Sequence, residues 1–142
     1  MGSKILLLLS VLVVITKNHA AACSLNAIGV NFGSYDVFSP IALDGIGTID
    51  VNCDTDTAFT LILSSGNGSY FQRYMQYGTN HLNYNLYRNS GMTSIWGDGT
   101  SGTTYLSANA KNYTAYVYGR INIRQNVPVG TYMDNIVATL YF

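Results

Sequence analysis

The sequence predicts an all-β protein, an immunoglobulin-like β-sandwich that forms once a leader has been removed. Three observations carry that expectation. Apolar residues recur mostly at every second position from Cys23 onward, and turn signals recur at intervals that suit short antiparallel strands. The 142-residue chain is also rich in tyrosine (12) and glycine (14), with abundant asparagine, serine and threonine. Aromatic and β-branched side chains suit a pleated surface, and a chain of this length closes one core rather than two.

The leader comes first. Lys4 precedes an apolar stretch from Ile5 to Ile15, followed by a short polar region and the run Ala20, Ala21, Ala22. A positive start, an apolar middle and small residues at minus three and minus one describe a secretory signal peptide, residues 1–22. The stretch is shorter than the roughly 20 apolar residues that a membrane-spanning helix needs, and no later segment is a candidate. The domain is then residues 23–142. It carries five basic residues (Arg73, Arg88, Lys111, Arg120, Arg124) and seven aspartates, a formal charge of about minus two.

Cys23 and Cys53 are the two cysteines. In an exported chain they most simply pair, and closing that span stabilises a fold by roughly 3 to 4 kcal/mol on the chain-entropy model. The alternative is a lipid-modified Cys23 at a lipoprotein cleavage site. Against it, Ala20 stands where such sites favour leucine, and Cys53 would remain a free thiol.

The strands follow in order. Ile28, Val30 and Phe32 alternate with polar or small residues as a first strand. Ile49, Val51 and Cys53 share one face of a second, with Thr48, Asp50 and Asn52 on the other. Phe59, Leu61 and Leu63 mark a third, ending at the turn cluster Gly66, Asn67, Gly68. Leu82, Tyr84 and Leu86 mark a fourth, with Tyr84 buried. Tyr70 to Tyr77 is the stretch that could form a helical turn or two, and Gly91 to Thr104, around Trp96, reads as a loop. The clearest alternation sets Ala115, Val117, Gly119, Ile121 and Ile123 on a dry face and Tyr116, Tyr118, Arg120, Asn122 and Arg124 on a wet one. After a turn at Pro128, Val129 and Gly130, the last strand has Ile136, Ala138, Leu140 and Phe142 on one face and Val137, Thr139 and Tyr141 on the other.

These residues exclude several function classes. The charged share is 10%, with seven residues of each sign and no glutamate, against about 25% in ordinary proteins. No basic cluster is present to neutralise phosphates, which argues against a nucleic-acid partner. An enzyme would rest on His81 and an aspartate, with no nucleophile-elbow motif, and His81 reads as a surface-loop histidine. Asp50, Asp54 and Asp56 lack the loop glycine and distal acid of a calcium site and read as solvated strand ends. No cofactor motif is present, since the glycine-rich loop lacks the phosphate-cradle ending. Asn67-Gly68-Ser69 and Asn112-Tyr113-Thr114 fit the glycosylation pattern only by coincidence. Trp96 reads as core, with sugar stacking as the alternative, and Tyr116, Tyr118, Arg120 and Arg124 line an outer face that could meet a neighbouring subunit or a glycan.

The last strand carries the functional argument. A sandwich of this type has about seven strands, and roughly six are counted here, the last of them the apolar strand on which the chain ends. A missing strand leaves an unpaired backbone edge and an open slot between the sheets, which partners can fill by strand addition.

Set in order, Phe32-Gly33 with Tyr35-Asp36, Val51 with Cys53, Leu63 with Gly66, Arg73 with Met75, Leu82, Tyr84, Leu86 and Tyr87 resemble the spore coat protein U domain family, which includes subunits of archaic chaperone-usher pili. Trp96-Gly97, Tyr118-Gly119-Arg120-Ile121 and the closing Gly130, Tyr132 and Asp134 extend the resemblance along nearly the whole domain. It implies an incomplete sandwich, a Cys23–Cys53 disulfide, and export through a periplasmic chaperone and an outer-membrane usher. It also implies assembly by donor-strand exchange with other pilus or coat subunits, into cell-surface fibres that serve adhesion or biofilm formation. The acceptor strand would be Ile136, Ala138, Leu140 and Phe142. Cleavage after Ala22 leaves no donor segment ahead of Cys23, so the expectation is a terminal or coat component rather than a shaft subunit. The rival reading is a stand-alone extracellular glycan-binding protein.

Overall fold

The computed structural model describes residues 3–5, 14–16 and 21–142. The expected signal peptide, residues 1–22, therefore lies largely outside the described residues. Nine strands follow in chain order: β1 Ser3–Ile5, β2 Val14–Thr16, β3 Cys23–Ile28, β4 Gly33–Tyr35, β5 Leu43–Leu63, β6 Arg73–Tyr77, β7 Asn80–Tyr87, β8 Leu106–Ile121 and β9 Ala138–Tyr141. Among the described residues there is no helix, and so none long and apolar enough to cross a membrane.

Seven strands form one sheet in the order β2-β9-β5-β8-β7-β6, with β3 also paired to β5, while β1 and β4 form a separate pair. The sheet curls around a single core. Its frame is the long antiparallel β5–β8 pair, whose register shifts between Asn52 and Thr57. Such an irregularity bends a strand and increases its twist. On the edge of β5 away from β8, β3 pairs with residues 48–53 and β9 with residues 60–63.

The faces are those that alternation assigns. Ile49, Val51, Cys53, Phe59, Leu61 and Leu63 are buried along β5, Leu82, Tyr84 and Leu86 along β7, and Ala115, Val117 and Ile121 along β8. Each large aliphatic side chain buried in this way stabilises the fold by roughly 1.5 to 3 kcal/mol.

Four expectations are corrected. The first predicted strand is broken: β3 ends at Ile28, which is exposed, whereas Val30 and Phe32 are buried beyond it. The cause is a crossing, in which the chain after β3 passes over glycines of β5 and β8. A Cβ on Gly47 would lie 2.6 Å from the Ile28 carbonyl oxygen, and one on Gly119 would lie 2.6 Å from the Phe32 ring. The crossing exists because those positions have no side chain. The predicted second and third strands are one strand, β5, because the polar run Asp54, Thr55, Asp56 is a bend within it rather than a loop. Tyr70 to Tyr77 contains strand β6, not helical turns, and β6 forms a hairpin with β7 in which Tyr77 faces Asn80 across the turn. Finally β8 stops at Ile121, so Ile123 is exposed and Arg124, at φ 59°, leaves the alternation. There the side-chain amide of Gln125 replaces a strand: its Oε1 accepts from the Asn83 backbone N–H at 2.7 Å and its Nε2 donates to the Asn83 carbonyl at 2.8 Å.

Candidate functional site

The last strand has two edges. One pairs with β5, from Thr60 opposite Tyr141 to Leu63 opposite Ala138. The other was expected to be unpaired, and here it carries β2 in parallel register, with Val14, Ile15 and Thr16 opposite Thr139, Leu140 and Tyr141. A second short N-terminal strand, β1, lies antiparallel on β4, with Ser3 opposite Tyr35 and Ile5 opposite Gly33. The first 16 residues therefore contribute one strand to each of two edges, β4 and β9, neither of which is covered by a later part of the chain among the described residues. Residues 33–35 are a second such edge, which reading the last strand alone missed. The signal for them is faint, because three residues show too little alternation to reveal an edge.

Of the predicted acceptor residues, Ile136, Ala138 and Leu140 are fully buried, and Phe142 is half-buried and packs against the core. Side chains on the opposite face are freer, with Tyr141 exposed.

A buried polar network holds the approach to this strand. Arg73 Nη2 donates to the Ser64 carbonyl at 2.7 Å and to the Trp96 carbonyl at 2.6 Å, and Nη1 donates to Asn85 Oδ1 at 2.7 Å. Asp134 accepts from the Tyr84 hydroxyl at 2.6 Å and from the backbone N–H groups of Asn67 and Asn135. The Ser64 hydroxyl oxygen accepts the Val137 N–H at 2.9 Å, so the chain entering β9 is tied to the end of β5. At Gly66, with φ +60°, a side chain would occupy the place of the Asp134 carboxylate. Burial pushes the Asp134 carboxyl above its ordinary range despite those three donors, raises the Tyr84 hydroxyl, and lowers the Arg73 guanidinium. Charges this dry persist only when fully hydrogen-bonded. The quoted residues Gly66, Arg73, Tyr84, Trp96 and Asp134 thus converge on one structure, which spacing along the chain does not reveal.

Cys23 and Cys53 are disulfide-bonded, directly opposite each other in the β3–β5 ladder. That bond leaves no Cys23 thiol for a lipid anchor. Trp96 is core, 1% exposed, with its indole N–H donating to the Leu61 carbonyl. His81 stacks on Tyr74 with ring centroids 3.8 Å apart. Asp50 accepts from the Thr114 hydroxyl and Asp54 from the Ala22 N–H, so both belong to the β5 ladder. On the outer face, Tyr116 and Tyr118 lie 6.4 Å apart, and Arg120 makes two bonds to Asp44, at 2.7 and 2.8 Å. Arg124 is not brought to that face, because β8 ends before it.

The site's geometry can be set beside known proteins. The crystal structure of a chaperone–tip adhesion subunit pre-assembly complex (CsuC–CsuE), from the archaic chaperone-usher Csu pili of Acinetobacter baumannii, shares the fold with a TM-score of 0.62 at 23% identity. The match covers 87% of this chain and 40% of that one, so this chain spans less than half the length of its structural relative. In sequence, Protein U of Myxococcus xanthus is 32% identical over 145 aligned positions, covering 88% of this chain and 80% of that protein. The Spore Coat Protein U domain model matches residues 9–139. The resemblance carried by the ordered residues is thereby a membership, and the chain belongs to the Spore Coat Protein U domain family.

Proposed function

We propose that this protein is an exported structural subunit of a surface fibre or coat that accepts a partner's strand between β4 and β9. The observation that carries the reading is the pairing of the leader on both of those edges. Residues 1–22 are the segment expected to be cleaved as a signal peptide, and its loss would open both edges together. An exposed edge beside an apolar slot is a template for strand addition.

A periplasmic chaperone would fill the slot first, an outer-membrane usher would receive the complex, and another subunit would take the chaperone's place. Backbone hydrogen bonds along Thr139 to Tyr141 would set the register, and alternate side chains of the donor would pack over Ile136, Ala138, Leu140 and Phe142. Polymers built this way serve adhesion or biofilm formation. The shared fold of a chaperone-bound pilus complex and the family membership support a structural subunit rather than an enzyme.

The test compares two neighbouring residues of β9. Leu140 is fully buried, whereas Tyr141 on the other face is exposed. Leu140→Asp places an unpaired carboxylate in the slot, and surface levels with chaperone co-purification should fall at least tenfold by immunoblot. Tyr141→Asp should leave both close to wild type. Wild-type surface display of Leu140→Asp would overturn the reading.

A further inference from the structure

We propose that the outer face of β6, β7 and β8 is a binding groove for a neutral oligosaccharide. Two cavities of about 420 and about 380 Å³ adjoin there, sharing Ser69, Gln72 and Asn83 in their walls. The larger is lined also by Phe71, Tyr87, Arg120 and Asn122, and the smaller by the stacked rings of Tyr74 and His81.

The hydrogen-bonding state of the amides points to a ligand rich in hydroxyls. Among the described residues, Gln72, Asn83 and Asn122 make their bonds through the backbone. Gln72 pairs with Ser69, Asn83 with Gln125, and the Asn122 carbonyl accepts from Tyr35 and Gln125. Among the described residues their side-chain amides have no protein partner, and each offers donors and an acceptor that sugar hydroxyls can meet. Asn85 beneath them is fully engaged, accepting from Arg73 and from the Leu86 N–H while donating to the Tyr70 carbonyl. The floor is therefore fixed while the rim is available, the preorganisation that a weakly binding polar ligand needs.

Rings and charge narrow the ligand class. Phe71 is 58% exposed, a large apolar surface held beside polar groups, where the C–H face of a pyranose can pack. The one formally charged side chain lining the larger cavity, Arg120, is already neutralised by its two bonds to Asp44. An anionic sugar, phosphate or nucleic acid finds no uncommitted cation in it, and a neutral oligosaccharide needs none. Two confluent cavities suit several sugar units rather than one. None of the residues lining the two cavities belongs to β4 or β9, so this inference does not depend on strand acceptance.

The test is an array of neutral gluco-, manno-, galacto- and N-acetylglucosamine oligosaccharides, alongside sialylated and sulfated ones, probed with the exported, purified protein. The best binder is then titrated by calorimetry. Neutral oligosaccharides should bind, and Phe71→Ala and Asn83→Ala should each weaken binding about tenfold, with unchanged melting temperature for Asn83→Ala because its side chain holds nothing in the fold. Arg124→Ala, off the groove, should bind as wild type does. Absence of binding to every neutral oligosaccharide, a preference for the anionic ones, or affinity unaltered by both groove variants would overturn the proposal.

Discussion

The two halves of β5 carry different neighbours on the same edge. Along residues 48–53 the neighbour is β3, paired over six residues and fastened by the Cys23–Cys53 disulfide. Along residues 60–63 it is β9, paired over four residues with no covalent link, and among the described residues its far edge carries only the three-residue strand β2. One half is closed covalently and the other by backbone pairing and packing, and it is beside the second that the proposed partner strand would add. The comparison teaches that two stretches of one edge can be held by different means: the disulfide holds the first half, and the Arg73 and Asp134 network holds the approach to the second.

The most severe way to break this comparison is to remove the anchor of the second half. Arg73→Met leaves the Ser64 and Trp96 carbonyls without their side-chain donor in a dry site and takes one of two donors from the Asn85 amide oxygen, which should cost about 3 to 5 kcal/mol. Urea denaturation monitored by tryptophan fluorescence measures it, and a loss below about 1 kcal/mol would mean the network does not hold the second half.

Breaking the first half should cost slightly less. The double variant Cys23→Ala, Cys53→Ala releases a 30-residue separation, for which the chain-entropy model gives roughly 3 to 4 kcal/mol. If β9 is held independently, the variant should still bind the proposed chaperone once folded at low temperature. Loss of chaperone binding in folded protein would show that the halves are coupled.

The smallest effect sharpens the comparison by its sign. Burial raises the Asp134 carboxyl above its ordinary range, so the folded state holds that proton more tightly than the unfolded chain does. The stability this group contributes is full below the ordinary carboxylate range and is lost as pH rises through the folded value. Wild type should therefore be favoured over Asp134→Asn most strongly in acid, with the difference shrinking toward neutral pH. Melting temperatures across that interval test it, and a difference that grows with pH would contradict it.

Much of the core was legible from alternation. Ile49, Val51, Leu61, Leu82, Leu86, Val117 and Leu140 are buried where a period of two puts them. Alternation is a local property of the backbone, and a buried face writes it directly into the sequence. It fails where the chain changes course. Ile28 and Ile123 continue the apolar pattern in sequence yet are exposed, because the chain crosses at Gly47 in one case and turns at Arg124 in the other. The polar run at Asp54 to Asp56 resembles a loop but is a bend within one strand. β6 was not recognised because its inward residues, Arg73 and Met75, include a charge that only the surrounding carbonyls make tolerable.

By itself, the sequence determined the all-β class, the two cysteines that pair, and which side chains of β9 face inward. It did so because composition and alternation act over a few residues. The tertiary structure alone decided that β5 has two different neighbours on one edge, that Arg73 and Asp134 come together near the last strand, and that β4, like β9, is an edge paired with a strand from the first 16 residues. Strand pairing is made by backbone groups common to every residue, and its partners lie far apart in the chain, so which edges stay open leaves almost no local mark.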